Sequence, residues 1–282
     1  MPGTMGDHQP AALGADLHVH STFSDGQHEP AAVMAMAAEA GLLAVALTDH
    51  DTTDGLAAAA VAASRHGLRL IPGVEISSHC DRRDIHLLAW FIDPDHAGLR
   101  HALARLAGAR ERRLETMLKA LSRAGAPVQE TAVREQSGGH VPGRPHVAAA
   151  LVAAGHAASV QTAFDRWIGL GRPGFVALER IPAGEAIALV RAAGGVAGLA
   201  HPGLAHAGRA LPALARSGLA AVECDHPGHD PRQRRRWREA AQHLDLVATS
   251  GSDFHGSSHR HGAVGSESID STTLAALEAR RP

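Results

Sequence analysis

An α/β fold with a largely parallel sheet is predicted by three features of the sequence. Seven short apolar runs recur along the chain, and alanine-rich stretches of helical length separate most of them. Six of the seven runs carry His, Asp or Glu at or near one end. Functional groups in parallel α/β folds and barrels collect at the carboxyl ends of strands, so this common polarity is itself a fold signal.

The first strand is expected over residues 15–20. A helix follows over 29–40, with Pro30 in its first turn and Gly41 ending it. Residues 42–47 read as the second strand and 54–66 as a helix closed by Gly67. The third strand covers 68–74, and a polar loop leads to the fourth over 85–92. Residues 195–200, 219–224 and 246–250 supply the last three strands, with helices over 184–193, 209–217 and 231–243 and a closing helix over 274–280. Between the fourth and fifth strands the pattern is helical (101–124, 145–154 and 160–169). That stretch is too long for a structureless loop and predicts an inserted helical subdomain. The expected organisation is a disordered N-terminus over 1–15, an α/β domain over 16–93 and 183–282, and the insert over 94–182. An open doubly wound sheet and a closed barrel both satisfy this pattern.

Composition narrows the function. The 282 residues carry a net charge of −2 and are 45% hydrophobic, which excludes a broadly basic nucleic-acid wrapper but leaves room for a locally basic pocket. Cys80 and Cys224 cannot build a disulfide scaffold and form no CxxC motif. No apolar run reaches the roughly 18 residues of a membrane span, and the first residues lack the features of a secretory signal. A cytoplasmic protein without a membrane partner is expected. No phosphate-binding P-loop or dinucleotide fingerprint is present, which disfavours an NTPase or a dehydrogenase. The chain holds 21 histidines and no tyrosine. An alanine- and arginine-rich composition accounts for a high count, so position has to decide.

Position is informative. His18 and His20 lie two apart in a strand and project from one face, within reach of one ion. Asp49-His50-Asp51 follows the second strand, Glu75 the third, His201 the fifth and Ser252-Asp253-Phe254-His255 the seventh, while His86 lies within the fourth. Nitrogen and carboxylate donors without thiolates suit Mn²⁺, Fe²⁺ or Zn²⁺. More than four candidate ligands exceed the needs of one tetrahedral ion, so two or more ions are expected. Such clusters activate water and stabilise charge on a phosphoryl group, which points to hydrolysis of a phosphate ester.

The stretches Asp16-Leu17-His18-Val19-His20-Ser21-x-x-Ser24-Asp25-Gly26, Thr48-Asp49-His50-Asp51, Pro72-Gly73-Val74-Glu75, Ala200-His201-Pro202 and Gly251-Ser252-Asp253-Phe254-His255 together resemble the PHP (polymerase and histidinol phosphatase) family, in the family's order. The resemblance implies a distorted seven-stranded β/α (TIM-like) barrel with two or three divalent metal ions at its mouth, Mn²⁺ first among them and Fe²⁺ or Zn²⁺ as alternatives. It implies a first site of His18, His20, Glu75 and Asp253, and a second of Glu75, His86 and His201. A third site, found in many relatives, would use Asp25, His50 and His255; some relatives have histidine at the position of Asp25. The implied chemistry is attack on phosphorus by water that the ions activate, with Asp253 or His255 passing a proton to the leaving oxygen.

The stretches Gly143-Arg144-Pro145-His146, Trp167-Ile168-Gly169-Leu170-Gly171-Arg172-Pro173 and His226-Pro227-Gly228-His229 resemble the branch of the family that acts on nucleoside 3′,5′-bisphosphates and trims short 5′-phosphorylated RNA. A helix starting near Pro145 presents free N–H groups to an anion, and Arg144 and His146 flank it. These residues, with Arg172, are expected to hold a second, uncleaved phosphate, and His229 to touch the scissile one. The substrate is then a small phosphorylated nucleotide or a short RNA or DNA 5′ end, with no obligate protein partner. Histidinol-phosphate phosphatase and a non-catalytic nucleic-acid-binding module are the competing readings.

Overall fold

The structure is a computed structural model describing residues 13–81, 83–205, 207–256 and 262–282. Strands β1 (Leu13–Val19), β2 (Leu42–Leu47), β3 (Arg69–Cys80), β4 (Arg83–Trp90), β6 (Val196–Leu199), β7 (Ala221–Asp225) and β8 (Val247–Ser250) lie side by side in that order. The two-residue strand β5 (Ile181–Pro182) pairs with the end of β3. A parallel bridge between Val19 and Phe254 brings the chain beyond β8 back to β1, so this seven-stranded path is nearly closed into a distorted β/α barrel.

Around it lie α1 (Pro30–Glu39), α2 (Leu56–Arg65), α7 (Ala183–Ala192), α8 (Leu211–Arg216) and α9 (Pro231–His243), with α10 (Ser271–Glu278) last in the chain. Between β4 and β5 run α3 (Ala97–Arg123), α4 (Glu130–Gln136), α5 (Arg144–Ala153) and α6 (Val160–Ala163), the last continuing into a π-helical turn over Phe164–Ile168. These helices bury an apolar cluster of their own, built on Leu114, Met117, Leu121, Val147, Leu151 and Ile168.

Two expectations are corrected. The sheet is mixed, because β4 runs antiparallel to both β3 and β6. Only two residues separate β3 from β4, whereas a parallel crossover needs a dozen or more, so the polar loop is a hairpin turn. The N-terminus is regular earlier than expected: Leu13 pairs with Leu42 and Ala15 with Ala44, which places residues 13–15 in β1. The rest of the segment expected to be disordered, residues 1–12, lies outside the described residues.

The hairpin also fixes the site. Because β4 reverses direction, its beginning rather than its end lies at the mouth. His86 there pairs with Ser77, two residues beyond Glu75 on β3. Below the mouth, Trp90 is fully buried and its indole N–H donates to the Leu17 carbonyl at 2.8 Å. Gly198 on β6 leaves room for that ring: a Cβ there would stand 2.5 Å from it.

Candidate functional site

The nine expected ligands converge at the mouth. His18 and His20, alternate residues at the end of β1, are fully buried. His18 Nε2 lies 3.2 Å from both Glu75 Oε2 and Asp253 Oδ1, and His20 Nε2 lies 3.2 and 3.3 Å from the same two oxygens. The other carboxylate oxygen of Glu75 meets His86 Nδ1 at 2.8 Å and His201 Nε2 at 2.9 Å. Glu75 therefore turns its two oxygens toward different sets of imidazoles. Asp25 Oδ1 lies 3.2 Å from His255 Nε2 and 3.8 Å from His50 Nε2. His50 Nδ1 lies 3.1 Å from Glu75 Oε2, so His50 stands between the groups instead of belonging to one.

This donor set fits divalent cations. His18, His20, Glu75 and Asp253 form one group whose ligand atoms lie within 4.8 Å of one another, His20, Asp25, His50 and His255 form a second, and His50, Glu75 and His86 a third, with His50 where His201 was expected. Nitrogen–oxygen separations of 3.2–3.3 Å are close to the edge of a tetrahedron with corners about 2.0 Å from its centre, the reach of a transition-metal bond. His20 Nε2, Asp25 Oδ1, His50 Nδ1 and His86 Nδ1 are buried near opposite charge yet lack hydrogen-bond geometry.

Electrostatics agree. Burial disfavours charge on Glu75, but His50, His86 and His18 outweigh it and hold the carboxyl well below its ordinary range. Burial likewise opposes ionisation of Asp253 and Asp25, and the neighbouring imidazoles hold both well down. For His18, burial is outweighed by Asp253, Glu223 and Glu75, which raise its pKa well above normal. His255 is pushed up to about 10 as Asp25 and Asp253 overcome its burial. His50 goes the other way, to about 3: burial dominates and the rings of His20 and His86 add to it, against Glu75 and Asp25. The carboxylates thus stay ionised by pairing with positive charge, a role a divalent ion fills better than a proton.

A supporting layer orients these ligands. Glu223 on β7 accepts from His18 Nδ1 at 3.0 Å and from the His201 backbone N–H at 2.6 Å. His226 Nε2 stands 3.2 Å from Asp253 Oδ2. Asp49 accepts from the Ser21 N–H and from the hydroxyls of Ser21 and Ser24, which pins the loop carrying Asp25. Asp16 accepts from the backbone N–H groups of His18, Ser252 and Gly265, tying the ends of β1 and β8 together. At Gly251 any side chain would collide with His18 and fall 2.9 Å from Glu223 Oε1. Asp51, His201 and Asp253 take left-handed backbone conformations, with φ of 57°, 26° and 50°. Such strain is concentrated where side chains have to be aimed.

The expected substrate-binding residues divide. His146, at the start of α5, is buried, and its Nδ1 accepts from the Gly143 N–H at 2.9 Å. Arg144 stands with Arg110, Arg113 and Arg180, three arginines that sequence reasoning missed because α3 and the 176–180 segment meet only in the fold. Burial and the charges of Arg144, Arg110 and Arg180 drive Arg113 down to about 9. Arg110 pairs with the buried Asp51 (Nε–Oδ2, 2.8 Å) and Arg180 with Asp84 (2.9 Å). Arg172 is exposed and is not brought into this group. His229 departs from expectation too: it is buried, its Nδ1 donates to the Cys224 carbonyl at 3.0 Å, and its Nε2 accepts from the Gly203 N–H at 3.1 Å. With both nitrogens engaged by backbone, it positions the loop after β6 and has none left for a phosphate. A cavity of about 640 Å³, lined by Asp25, Gln27, His146, Phe164 and His255 among others, opens beside the ligands.

The PHP domain family matches residues 16–170, more than half the chain and the stretch that carries six of the nine ligands. The chain belongs to the PHP domain family. It is 34% identical to the 3′,5′-nucleoside bisphosphate phosphatase of Chromobacterium violaceum, over 85% of this chain and 86% of the relative. It is 36% identical to a 5′-3′ exoribonuclease of Salmonella typhimurium, over 85% of this chain and 84% of the relative. A solved structure from Bifidobacterium adolescentis, described as a metal-dependent phosphoesterase, superposes with a TM-score of 0.89 at 34% identity, covering 97% of this chain and 98% of that one. This PHP protein is an enzyme of phosphoester hydrolysis, and its buried His, Glu and Asp cluster is built for divalent metal ions. No described helix is long and apolar enough to cross a membrane.

Proposed function

We propose that this enzyme removes the 3′ phosphate from nucleoside 3′,5′-bisphosphates and, by the same chemistry, trims short 5′-phosphorylated RNA one nucleotide at a time from its 5′ end. The observation that carries this reading lies on one side of the ligand cluster, where half-buried Arg110, Arg113, Arg144 and Arg180 stand together near His146. Mutually repelling guanidiniums in a partly desolvated wall are stabilised by an anion, and arginine presents the geometry that phosphate prefers. The adjoining cavity has the size of a nucleoside site. A substrate with two phosphates would place one on this wall and the other at the ligands. Both named relatives, a bisphosphate phosphatase and a 5′-3′ exoribonuclease, agree with such a substrate.

His18, His20, Glu75 and Asp253 would hold one ion, Glu75, His86 and His201 a second, and Asp25, His50 and His255 a third. Bound there, such ions lower the pKa of water and offset charge on a phosphoryl group. Their nitrogen-and-oxygen donor set suits Mn²⁺, Fe²⁺ or Zn²⁺, and the family resemblance puts Mn²⁺ first. The protein's own part is to orient and to shuttle protons. Glu223 fixes the His18 ring, and the Arg144 wall fixes the uncleaved phosphate. Asp253, ionised and backed by His226, would take a proton from the attacking water and hand it to the leaving oxygen. His255 is less suited, since its Nδ1 is engaged by the Asp253 carbonyl at 2.8 Å and its Nε2 faces Asp25. Residues 94–182 act in this reading as an inserted subdomain that supplies Arg144 and His146. The free cysteines Cys80 and Cys224 fit a reducing, cytoplasmic setting.

The test is side-by-side hydrolysis of a nucleoside 3′,5′-bisphosphate, a nucleoside 3′-monophosphate, a short 5′-phosphorylated RNA and histidinol phosphate. The bisphosphate and the RNA are expected to lead, and Arg144→Ala to cost at least tenfold more kcat/KM on the bisphosphate than on the monophosphate. Equal losses on both, or a preference for histidinol phosphate, would remove the reading.

A further inference from the structure

The histidine rings form a row across the mouth. Ring centres step from His255 to His20 (4.1 Å), to His18 (5.1 Å) and to His201 (5.7 Å). The nucleoside-sized cavity opens at the His255 end. At the His201 end, formed in part by the next two residues Pro202 and Gly203, lies a second cavity of about 380 Å³ whose character is different. Its walls include Arg83 at the start of β4, Arg209 in the turn after β6, and Gln233, Arg236 and Trp237 on α9.

The arginine run on α9 is sorted by its surroundings. Arg234 is held by Glu267 at 2.6 Å, and Arg238 by both oxygens of Asp225 at 2.6 Å. Arg236 instead lies 5.2 Å over the Trp237 ring, and neither it nor Arg209 has a carboxylate partner among the described residues. Gln233, Arg236 and Trp237 are spaced i, i+3 and i+4, so α9 presents one face to the cavity. Trp237 is 3% exposed, and its buried indole N–H has no acceptor among the described residues.

We propose that this pocket binds a backbone phosphate of the RNA strand downstream of the scissile bond. The proposal rests on the 5′-3′ trimming read above. With the 5′ nucleotide in the larger cavity and the scissile phosphate at the ligands, the remaining strand leaves at the opposite end of the row. Its next phosphates then meet Arg209 and Arg236, with Gln233 and the Trp237 edge beside them. A mononucleotide bisphosphate ends before this point, so the pocket separates the two substrate classes: it serves oligonucleotides and is idle for bisphosphates.

The experiment compares wild type with Arg209→Ala/Arg236→Ala and with the conservative Arg209→Lys/Arg236→Lys. Affinity for a hydrolysis-resistant 5′-phosphorylated octaribonucleotide is measured against salt concentration, and kcat/KM on the RNA and on the bisphosphate is measured alongside. In the alanine variant, the ratio of RNA to bisphosphate kcat/KM should fall at least tenfold. Octamer affinity should fall by a similar factor, and the log–log salt slope should drop by about 0.7 for each phosphate no longer neutralised. The lysine variant should retain most of the affinity. An unchanged ratio with unchanged octamer binding would overturn the proposal. So would loss of inorganic-phosphate binding while octamer binding persists, which would mark a site for free anions. Wild type that turns over neither substrate would refute the trimming reading itself, and the octamer isotherms would still decide the pocket.

Discussion

Glu223 shows how one buried carboxylate can govern a site it never enters. It accepts from the His18 ring and from the His201 backbone, and so aims ligands toward both sides of Glu75. Burial opposes its ionisation, but His18, His226 and His201 together lower its pKa, so it is a carboxylate in the folded protein. Replacing such an orienting group characteristically costs about 10–100-fold in metal affinity. Glu223→Gln should show that loss in a metal titration, with turnover recovering at high metal; an unchanged titration would contradict the role. Gly251→Ala probes the same spot sterically. Its methyl has to displace His18, for about 1–3 kcal/mol of destabilisation in thermal unfolding and weaker metal binding. A neutral result would mean that the close approach of β8 to β1 is not needed.

At the scale of elements, the hairpin β3–β4 was the feature the sequence concealed. Alternating helical and strand patterns made the first three strands and their ligands His18, His20, His50 and Glu75 legible, because strand ends in a parallel sheet share one side. His86 was legible only as a strand histidine; its place at the mouth follows from the reversal of β4, which depends on a connection of two residues. The cationic wall was half legible. Arg144 and His146 stand in a recognisable stretch, while Arg110 sits on α3 some 30 residues earlier and looks there like any exposed helix arginine. In the fold it ties α3 to the turn after β2 and to β3, through Asp51 and through Ser77 Oγ at 3.1 Å. Asp51 in turn accepts from the Ser77 N–H at 2.7 Å. Truncating one partner strands a buried charge, at about 3–5 kcal/mol. Arg110→Ala should therefore lower stability by about that amount in denaturant unfolding, and the bisphosphate KM should rise with it. Loss of stability at an unchanged KM would confine Arg110 to a structural role.

For the whole molecule, ligands drawn from β1, β3, β4 and the loops after β1, β2, β6 and β8 mean that metal binding and folding are coupled. Few of these side chains are neighbours in an unfolded chain, so ions that bind the native cluster stabilise it by mass action. Saturating Mn²⁺ should raise the unfolding temperature and a chelator should lower it, and His18→Ala/His20→Ala should blunt the response. A metal-insensitive melting temperature in wild type would argue against a preformed cluster. The same convergence explains why 21 histidines in an alanine-rich chain were informative by position and not by number.

Glu75 is placed to join two groups of imidazoles into one multi-ion centre. Counting divalent ions per chain, by elemental analysis after reconstitution with Mn²⁺, tests it most directly in wild type and in Glu75→Ala. Two or three ions in wild type, with at least two lost in the variant, is the expected result. Fewer than one ion in wild type, or the same count in both proteins, would mean that Glu75 joins no such centre.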